Sequence, residues 1–198
     1  MPGEPLEVVQ ERLLAQLGTA AVVVPRQVHG VTVVAVAQPP VGYVVGVGEG
    51  DGVVTNLRGV ACAVHVADCL PIAVGGPGAV AMLHAGWRGL AGGIVDEGVR
   101  ALRAAGARGA LGAAIGPGAG GCCYETGDEV RALFAGHAAT NGRLLDLGAV
   151  ASAQLREAGV DDVRNVGMCT ICSPGRRFFS HRGDGAVTGR QGGFAWQR

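Results

Sequence analysis

Residues 60–85 read VACAVHVADCLPIAVGGPGAVAMLHA, which is three short apolar runs separated by Ala-Asp-Cys and by Gly-Gly-Pro-Gly. Runs of this length that are rich in Val and bounded by Gly, Pro and Asp are typical of β-strands. Four similar runs precede them from Ala20 onward: AVVV, VTVVAVA, YVVGVG and DGVVTN. The segment from Ala20 to Ala85 therefore predicts a succession of strands joined by tight turns.

Helical patterns flank this strand-rich segment. Apolar residues at helical spacing predict four helices, at residues 5–17, 90–105, 125–136 and 149–158. Three more strands are predicted, at residues 163–168, 177–181 and 193–197. Many strands covered by a few helices indicate an α+β layered fold rather than a regular βαβ array. No linker, repeat or charge run divides the chain, so residues 1–198 are predicted to form a single domain.

The composition excludes several classes of protein. Charged residues make up 16% of the 198 residues and the formal net charge is zero, which gives no reason to expect nucleic acid or an anionic membrane as partner. No apolar run is long enough for a membrane span, and the N-terminus lacks the order of a signal peptide. We therefore expect a cytoplasmic protein, whose six cysteines are reduced and serve as ligands, nucleophiles or small core residues.

Three residues suggest a metal site. His29 in PRQVHG, Cys69 in VHVADCLPI and His84 in VAMLHAGWRG all fall where a predicted strand ends. Two imidazoles and one thiolate leave a tetrahedral zinc ion with an open position, which is the pattern of a catalytic site. The spacing is not a metal motif by itself, however, and a lone His or Cys in a strand is more often a core residue.

The residues after His84 suggest an anion site. Ala-Gly-Trp-Arg-Gly, residues 85–89, leads from a predicted strand into a predicted helix. Free N–H groups and the helix dipole favour negative charge at such a terminus, and Arg88 could add a bidentate contact to phosphate. The alternative is an ordinary capping turn with a solvated arginine.

Other candidates are weaker. Cys169 and Cys172 form a CxxC for which only His181 is available as a further ligand, so free thiols are favoured over a second zinc site. Cys123, just before a predicted helix, is interpreted as lining a pocket. Asp68 could orient a ligand histidine or cap a turn.

Six ordered motifs carry a family resemblance. RQVHG, DGVVTN, VADCLPI, LHAGWRG, IGPGAGGCCYETGDEV and FFSHRGDGAVTGRQGGFAW resemble, in the same order, the laccase-domain family. The resemblance implies zinc bound by His29, Cys69 and His84 and a four-layer α/β/β/α sandwich. We expect Arg88, from its place at the predicted helix start, to act beside these residues. It also implies phosphorolysis of purine nucleosides, with adenosine deamination and methylthioadenosine cleavage as companion activities. The expected partners are thus small molecules, a purine nucleoside and phosphate.

The chain departs from the family pattern in three places. Family members usually carry an N-terminal extension, which this chain is expected to lack because it begins at the first predicted helix. The Thr usual before Ala-Asp-Cys is Val66, and the usual Arg-Arg-Asp is Arg182-Gly183-Asp184. These changes bear on substrate range more than on metal binding.

Other family assignments suggest two alternative functions. A copper-dependent polyphenol oxidase needs many more histidines than the five present, largely as HxH pairs that this chain lacks, so zinc is favoured over copper. A peptidoglycan-precursor editing hydrolase would use the same zinc site and stays open.

Overall fold

The structure is a computed structural model that describes residues 6–137 and 139–198. Six α-helices lie in that part of the chain: α1 Leu6–Leu17, α2 Trp87–Gly92, α3 Ile94–Ala104, α4 Asp128–Ala132, α5 Leu147–Glu157 and α6 His181–Asp184. The strands of the first half are β1 Ala21–Arg26, β2 Val33–Val36, β3 Val44–Glu49, β4 Gly52–Thr55, β5 Val60–Val66, β6 Leu70–Gly76 and β7 Ala79–Ala85. The later strands are β8 Gly112–Ile115, β9 Thr140–Asn141, β10 Leu144–Leu145, β11 Asp162–Asn165 and β12 Gln191–Ala195.

Two stacked sheets form the centre of the molecule. One has the strand order β12-β5-β1-β3 and the other the order β11-β8-β6-β7-β4-β2. Val23 and Val64 of the first sheet pack with Val53 and Met82 of the second in one apolar cluster. The α1 helix covers the outer face of the four-stranded sheet, while α2, α3 and α5 cover that of the six-stranded sheet. The predicted α+β sandwich with layers α/β/β/α is confirmed.

The β6–β7 hairpin determines where the metal-ligand candidates lie. These strands are antiparallel, with Leu70 paired to Ala85 and Pro71 to His84. The residue before β6 is Cys69 and the residue after β7 is Gly86, so the register sets them opposite each other at the same end of the hairpin. Cys69 and the segment from His84 to Gly86 therefore lie side by side at one edge of the sheet.

Two parallel strands bring a second pair of loops together. Strand β8 pairs with β11 in parallel register from Gly112–Asp162 to Ile115–Asn165. Since parallel strands end at the same edge of a sheet, the loops that follow β8 and β11 leave side by side. The loop after β8 contains Cys122, Cys123 and Tyr124, and the loop after β11 contains Cys169 and Cys172.

The predicted helix over residues 90–105 is wrong in its bounds. It begins earlier, at Trp87, and is divided at Gly93, whose φ of 93° lies in the left-handed region and ends α2. The other three predicted helices are present as α1, α4 and α5, although α4 is shorter than residues 125–136, and α6 was not predicted. Of the first predicted helix, residue 5 lies outside the described residues. None of the described helices is long and apolar enough to span a membrane.

One strand prediction is wrong, and strand β8 is among those that were not predicted. Residues 177–181 form no strand, because the side chain of Gln191 hydrogen-bonds both the N–H and the C=O of Phe179 in place of a backbone ladder. Strand β8 was not predicted because Gly-Ala-Ala-Ile has little intrinsic strand preference. It is stabilised by pairing with β6 on one side and β11 on the other.

Gly98 tests the contact between α3 and the six-stranded sheet. A Cβ at this position would lie 2.5 Å from Cδ1 of Leu83, which is fully buried. We expect Gly98→Ala to lower the free energy of unfolding by about 1–3 kcal/mol through overpacking, although Ala has the higher helix propensity. Chemical denaturation of Gly98→Ala measures the effect. Gly136→Ala is the control, because a Cβ there meets no atom within 4 Å; equal stability of both variants would contradict the packing argument.

Candidate metal centre

His29, Cys69 and His84 come together although they lie far apart in the chain. One ligand atom from each residue lies within 4.8 Å of the others. The group extends from the exposed His29 through the half-buried Cys69 to the buried His84. The imidazole rings of the two histidines are 4.8 Å apart at an angle of 77°. Because Zn–N and Zn–S bonds are about 2.0 and 2.3 Å long, small side-chain rotations would bring all three donors onto one ion.

Gly86 makes room for the thiol. A Cβ at this position would lie 2.7 Å from Sγ of Cys69 and 3.5 Å from Cδ2 of His29. Real Cβ atoms essentially never approach another atom below 3.0 Å, so any side chain here would displace the sulfur. The glycine of the His-Ala-Gly-Trp segment is thus a requirement of the site itself.

Asp51 orients two of the three candidate ligands. Its carboxylate is fully buried, and Oδ1 lies 2.7 Å from Nδ1 of His84. With Nδ1 protonated toward the carboxylate, Nε2 of His84 keeps the lone pair that a metal needs. The same carboxylate accepts hydrogen bonds from the backbone N–H groups of Val28, His29 and Gly30, at 3.2, 2.9 and 2.6 Å. One side chain therefore fixes the ring of His84 and the backbone of His29.

The backbone of His29 is strained. Its φ is 61°, in the left-handed region that costs a residue with a Cβ about 1–2 kcal/mol. The hydrogen bonds from residues 28–30 to Asp51 compensate for this cost. Such strain in non-glycine residues is concentrated at functional sites.

The pKa values of Asp51, Cys69 and His84 differ from those of free side chains. Burial raises the pKa of Asp51, but the hydrogen bonds from His84 and from three backbone N–H groups outweigh it and hold that pKa below its usual value. Burial lowers the pKa of His84 in spite of Asp51, so the imidazole is neutral near pH 7. Burial and the carboxylates of Asp68 and Asp51 raise the pKa of Cys69 to about 11. A nearby cation is therefore needed to hold this sulfur as a thiolate.

Asp68 does not orient a histidine, which was one of the two roles predicted for it. Its buried carboxylate accepts hydrogen bonds from the hydroxyls of Thr170 and Ser180, at 2.6 and 2.7 Å, and from the N–H of Arg182, at 2.7 Å. The backbone φ of Asp68 is 90°. Asp68 therefore ties the segment that carries Cys69 to two C-terminal segments.

Arg88 lies where the sequence predicts it, next to the candidate ligands. The three ligands and Arg88 line one cleft of about 590 Å³, together with Tyr124 and with Arg182 and Arg190. The Arg88 guanidinium lies 4.3 Å from the Trp87 ring centre. Among the described residues no hydrogen bond or ion pair engages this guanidinium, so its N–H groups can bind an anion. His181, which the sequence offered as the one further ligand for a disfavoured zinc site at Cys169 and Cys172, lines this cleft.

Sequence reasoning missed Asp51 and Arg190 as site residues, and it noted Arg182 only within a departure from the family pattern. The motif Asp-Gly-Val-Val-Thr-Asn was recognised, but an aspartate before a strand is commonly a turn residue. Its role depends on the β4–β7 pairing, which sets Gly52 opposite Leu83 and so brings Asp51 to His84. The two arginines reach the cleft from the C-terminal segments, at a distance along the chain that no local pattern reveals.

Gly86→Ala tests the close approach at the thiol. We expect this substitution to weaken metal binding about 10- to 100-fold, because the new Cβ displaces Sγ of Cys69. Metal affinity is measured by competition with a chromophoric chelator. The matched control is Gly30→Ala, whose Cβ would meet its neighbours only at ordinary distances of 3.5 Å or more. Equal affinity in the two variants would remove Cys69 from the ligand set.

Asp51→Asn tests the buried carboxylate. The amide cannot accept all four hydrogen bonds, so we expect the free energy of unfolding at pH 7 to fall by about 2–3 kcal/mol. Because the folded-state pKa of Asp51 is lowered, its contribution is complete above the unfolded pKa of about 4 and is lost as the pH falls through the folded pKa. The stabilities of wild type and variant should therefore converge in acid. Asp162→Asn removes an exposed carboxylate as control; a pH-independent difference would contradict the linkage.

The chain is similar in sequence to known proteins. Curated relatives called purine nucleoside phosphorylase include one from Deinococcus radiodurans, 40% identical over 191 residues, which covers 90% of this chain and 72% of the relative. Another, from Aquifex aeolicus, is 43% identical over 128 residues, which are 64% of this chain and 62% of the relative. This chain thus spans less than two thirds of the length of the Aquifex protein.

Solved structures share the fold. YlmD from Geobacillus stearothermophilus has a TM-score of 0.81 and 32% sequence identity, covering 96% of this chain and 78% of that one. Neisseria meningitidis protein NMB0706 has a TM-score of 0.78 and 31% sequence identity, and the match covers 98% of this chain and 83% of that one. The family model described as multi-copper polyphenol oxidoreductase laccase matches residues 4–198. The predicted resemblance is confirmed: the chain belongs to the multi-copper polyphenol oxidoreductase laccase family.

Proposed function

We propose that this chain is a zinc-dependent purine nucleoside phosphorylase that uses the cleft around His29, Cys69 and His84. The observation that carries the proposal is the lining of this cleft, where two imidazoles and a thiol meet three arginines. Curated relatives called purine nucleoside phosphorylase support the same substrate class. A volume of about 590 Å³ lies within the range of small-molecule sites, roughly 300–1,000 Å³.

The donor set fits zinc. Nitrogen and sulfur ligands are those that zinc prefers, and three protein ligands leave the open position of a catalytic site. The hydrogen bond of His84 to Asp51 is the carboxylate–histidine pairing found around bound zinc. When bound, zinc would act as a Lewis acid and lower the pKa of a coordinated water. A thiolate ligand also fits the reducing environment of the cytoplasm, where we place the protein.

The arginines are suited to phosphate. The guanidinium of Arg182 donates to the carbonyl of Glu125. That of Arg190 donates to the carbonyls of Thr188 and Gly189. These hydrogen bonds hold both guanidinium groups in place. Arg88 keeps its N–H groups available while its guanidinium stacks on Trp87. We assign Arg88 to the attacking phosphate, which it would hold by a bidentate charge-assisted contact.

The aromatic residues are suited to the purine. Trp87 and Tyr124 both line the cleft. The guanidinium of Arg88 lies 4.3 Å from the Trp87 ring centre, and that of Arg182 lies 5.0 Å from the Tyr124 ring centre. Flat apolar surface next to positive charge fits a nucleoside and an anion bound side by side. Adenosine deamination and methylthioadenosine cleavage are proposed companion activities, since their substrates carry the same base and ribose.

Copper-dependent phenol oxidation is the less favoured alternative. The family description names it, but the only histidine-containing cluster among the described residues has two imidazoles and one thiol. The chain has five histidines in all, too few for a multicopper centre. Editing of peptidoglycan precursors would use the same three ligands but a different substrate, with water in place of phosphate as the attacking group.

Product analysis tests the proposal. Purified protein of known metal content is incubated with inosine or adenosine, with and without phosphate, and the products are separated by chromatography. We expect hypoxanthine or adenine to be released only with phosphate, and Cys69→Ala to lose both zinc and activity. Stoichiometric copper with oxidation of a phenol, or hydrolysis of a peptidoglycan precursor without phosphorolysis, would overturn the proposal.

Arg88→Met separates phosphate binding from the rest of the reaction. Loss of a charge-assisted contact is worth about 1.5–3 kcal/mol, so the KM for phosphate should rise about tenfold or more, while zinc content stays unchanged. Arg100→Met is the control, because Arg100 is exposed on α3 and pairs with Glu97 on the same helix. An unchanged KM for phosphate in Arg88→Met would contradict the role of Arg88.

A further inference from the structure

Four cysteines outside the candidate active site form a second cluster. Cys122 and Cys123 follow β8, and Cys169 and Cys172 follow β11. Their sulfur atoms all lie within 4.8 Å of one another, and Cys122 and Cys172 are 3.4 Å apart. We call these four residues the cysteine cluster. The sequence showed only the CxxC as a ligand pair, because the second pair lies nearly fifty residues away.

The fold brings the two pairs together. Strands β8 and β11 are parallel neighbours, so their following loops leave the sheet at the same edge. Beyond the strands, the N–H of Gly118 donates to the carbonyl of Met168 at 3.2 Å, and the N–H of Thr170 donates to the carbonyl of Gly118 at 2.9 Å. The two loops are therefore joined by backbone hydrogen bonds on both sides of Cys169.

The backbone around the sulfurs is shaped to leave them space. A Cβ on Gly120 would lie 3.2 Å from Cβ of Cys169 and 3.4 Å from Sγ of Cys122. The N–H of Gly120 donates to Sγ of Cys169 at 3.4 Å. The carbonyl of Gly120 accepts from the N–H groups of Cys123 and Tyr124, both at 3.0 Å, which turns the chain around the cluster. This N–H···S contact and tight turn are features that a thiolate site needs.

We propose that the cysteine cluster is a second metal site, which binds zinc as a tetrathiolate. Four Zn–S bonds of about 2.3 Å in tetrahedral geometry set the sulfurs about 3.8 Å apart, close to the spacing found here. Tetrahedral sulfur ligation is the pattern of zinc or iron, and a single ion fits sulfurs that are this close. On binding, the thiols release their protons to solvent and each sulfur donates an electron pair to zinc.

The electrostatics of the cluster agree with this geometry. Burial raises the pKa of Cys169, but the backbone N–H groups of Cys172, Gly120 and Ile171 outweigh it and lower that pKa to about 7. Burial and the neighbouring cysteines raise the pKa of Cys122 to about 11. One thiolate therefore forms readily, and further thiolates need a divalent cation to offset their mutual repulsion.

A structural role follows from what the two loops carry. Tyr124, next to Cys123, lines the candidate active-site cleft, and Thr170, next to Cys169, donates to the carboxylate of Asp68. A metal at the cysteine cluster would hold both residues in place without touching substrate. The proposal does not depend on the reaction catalysed in the cleft.

Metal analysis of the full chain tests the second site. Protein purified under reducing conditions should contain about two zinc ions per chain if both sites are filled. The double variant Cys122→Ser/Cys172→Ser should lose about one of them, and Cys69→Ala should lose the other. Cys62→Ala is the control, because Cys62 is a buried core residue that belongs to neither ligand group, so its loss should leave the zinc content unchanged.

Cobalt binding gives a second readout that does not require the double variant to fold. Metal-free Cys69→Ala retains only the cysteine cluster, and cobalt bound there should show intense sulfur-to-metal charge transfer with tetrahedral ligand-field bands. Weak charge transfer in this variant would overturn the proposal. So would iron in place of zinc, a Cys122–Cys172 disulfide in protein purified with reductant, or unchanged zinc in the double variant. Absence of phosphorolysis in the wild-type protein, with the cobalt spectrum of Cys69→Ala as expected, would refute the proposed function alone.

Discussion

The hydrogen bonds of the Asp51 carboxylate join parts of the molecule that the strand order alone would leave separate. One oxygen accepts from the ring of His84 at the end of β7, and both accept from the backbone before β2. The carbonyl of Asp51 also accepts from the N–H of His84 at 2.7 Å. Because the group is fully buried, each lost bond would leave a donor or an acceptor without a partner in the protein interior. The left-handed backbone of His29 and the tautomer of His84 both depend on this one side chain.

Asp68 has the corresponding role for the other wall of the cleft. It lies between β5 and β6 and binds groups from the segments around Thr170, Ser180 and Arg182. Its carbonyl accepts from the N–H of Ala119 in the loop after β8. The two buried aspartates therefore hold different parts of the site. Asp51 fixes the ring of His84 and the backbone of His29. Asp68 fixes the segments that bring Tyr124 and the C-terminal arginines to the same cleft. A buried carboxylate is costly unless it is fully hydrogen-bonded, and here both are.

The layered fold could be predicted from the sequence because strand-forming runs and helical periodicities are local signals. The first seven strands were found this way, and so were the candidate ligands at their ends. Strand β8 could not be found, since Gly-Ala-Ala-Ile becomes a strand only through its neighbours β6 and β11. The same reason explains why Asp51 was missed as the partner of His84, and why Cys122 and Cys123 were missed as partners of Cys169 and Cys172. Their partners are set by strand pairing across about 33 and 50 residues, which no motif within a single segment records.

The two groups of soft ligands differ in the way that separates catalytic from structural metal sites. His29, Cys69 and His84 supply three donors in a cleft that arginines and aromatic rings also line, so a metal there would keep a position for substrate. The cysteine cluster supplies four donors of one kind on two short loops, which would close the coordination sphere. An ion with a closed sphere can stabilise but cannot bind substrate. If both sites are filled, the closed one holds Tyr124 and the Thr170–Asp68 hydrogen bond in the geometry that the open one requires.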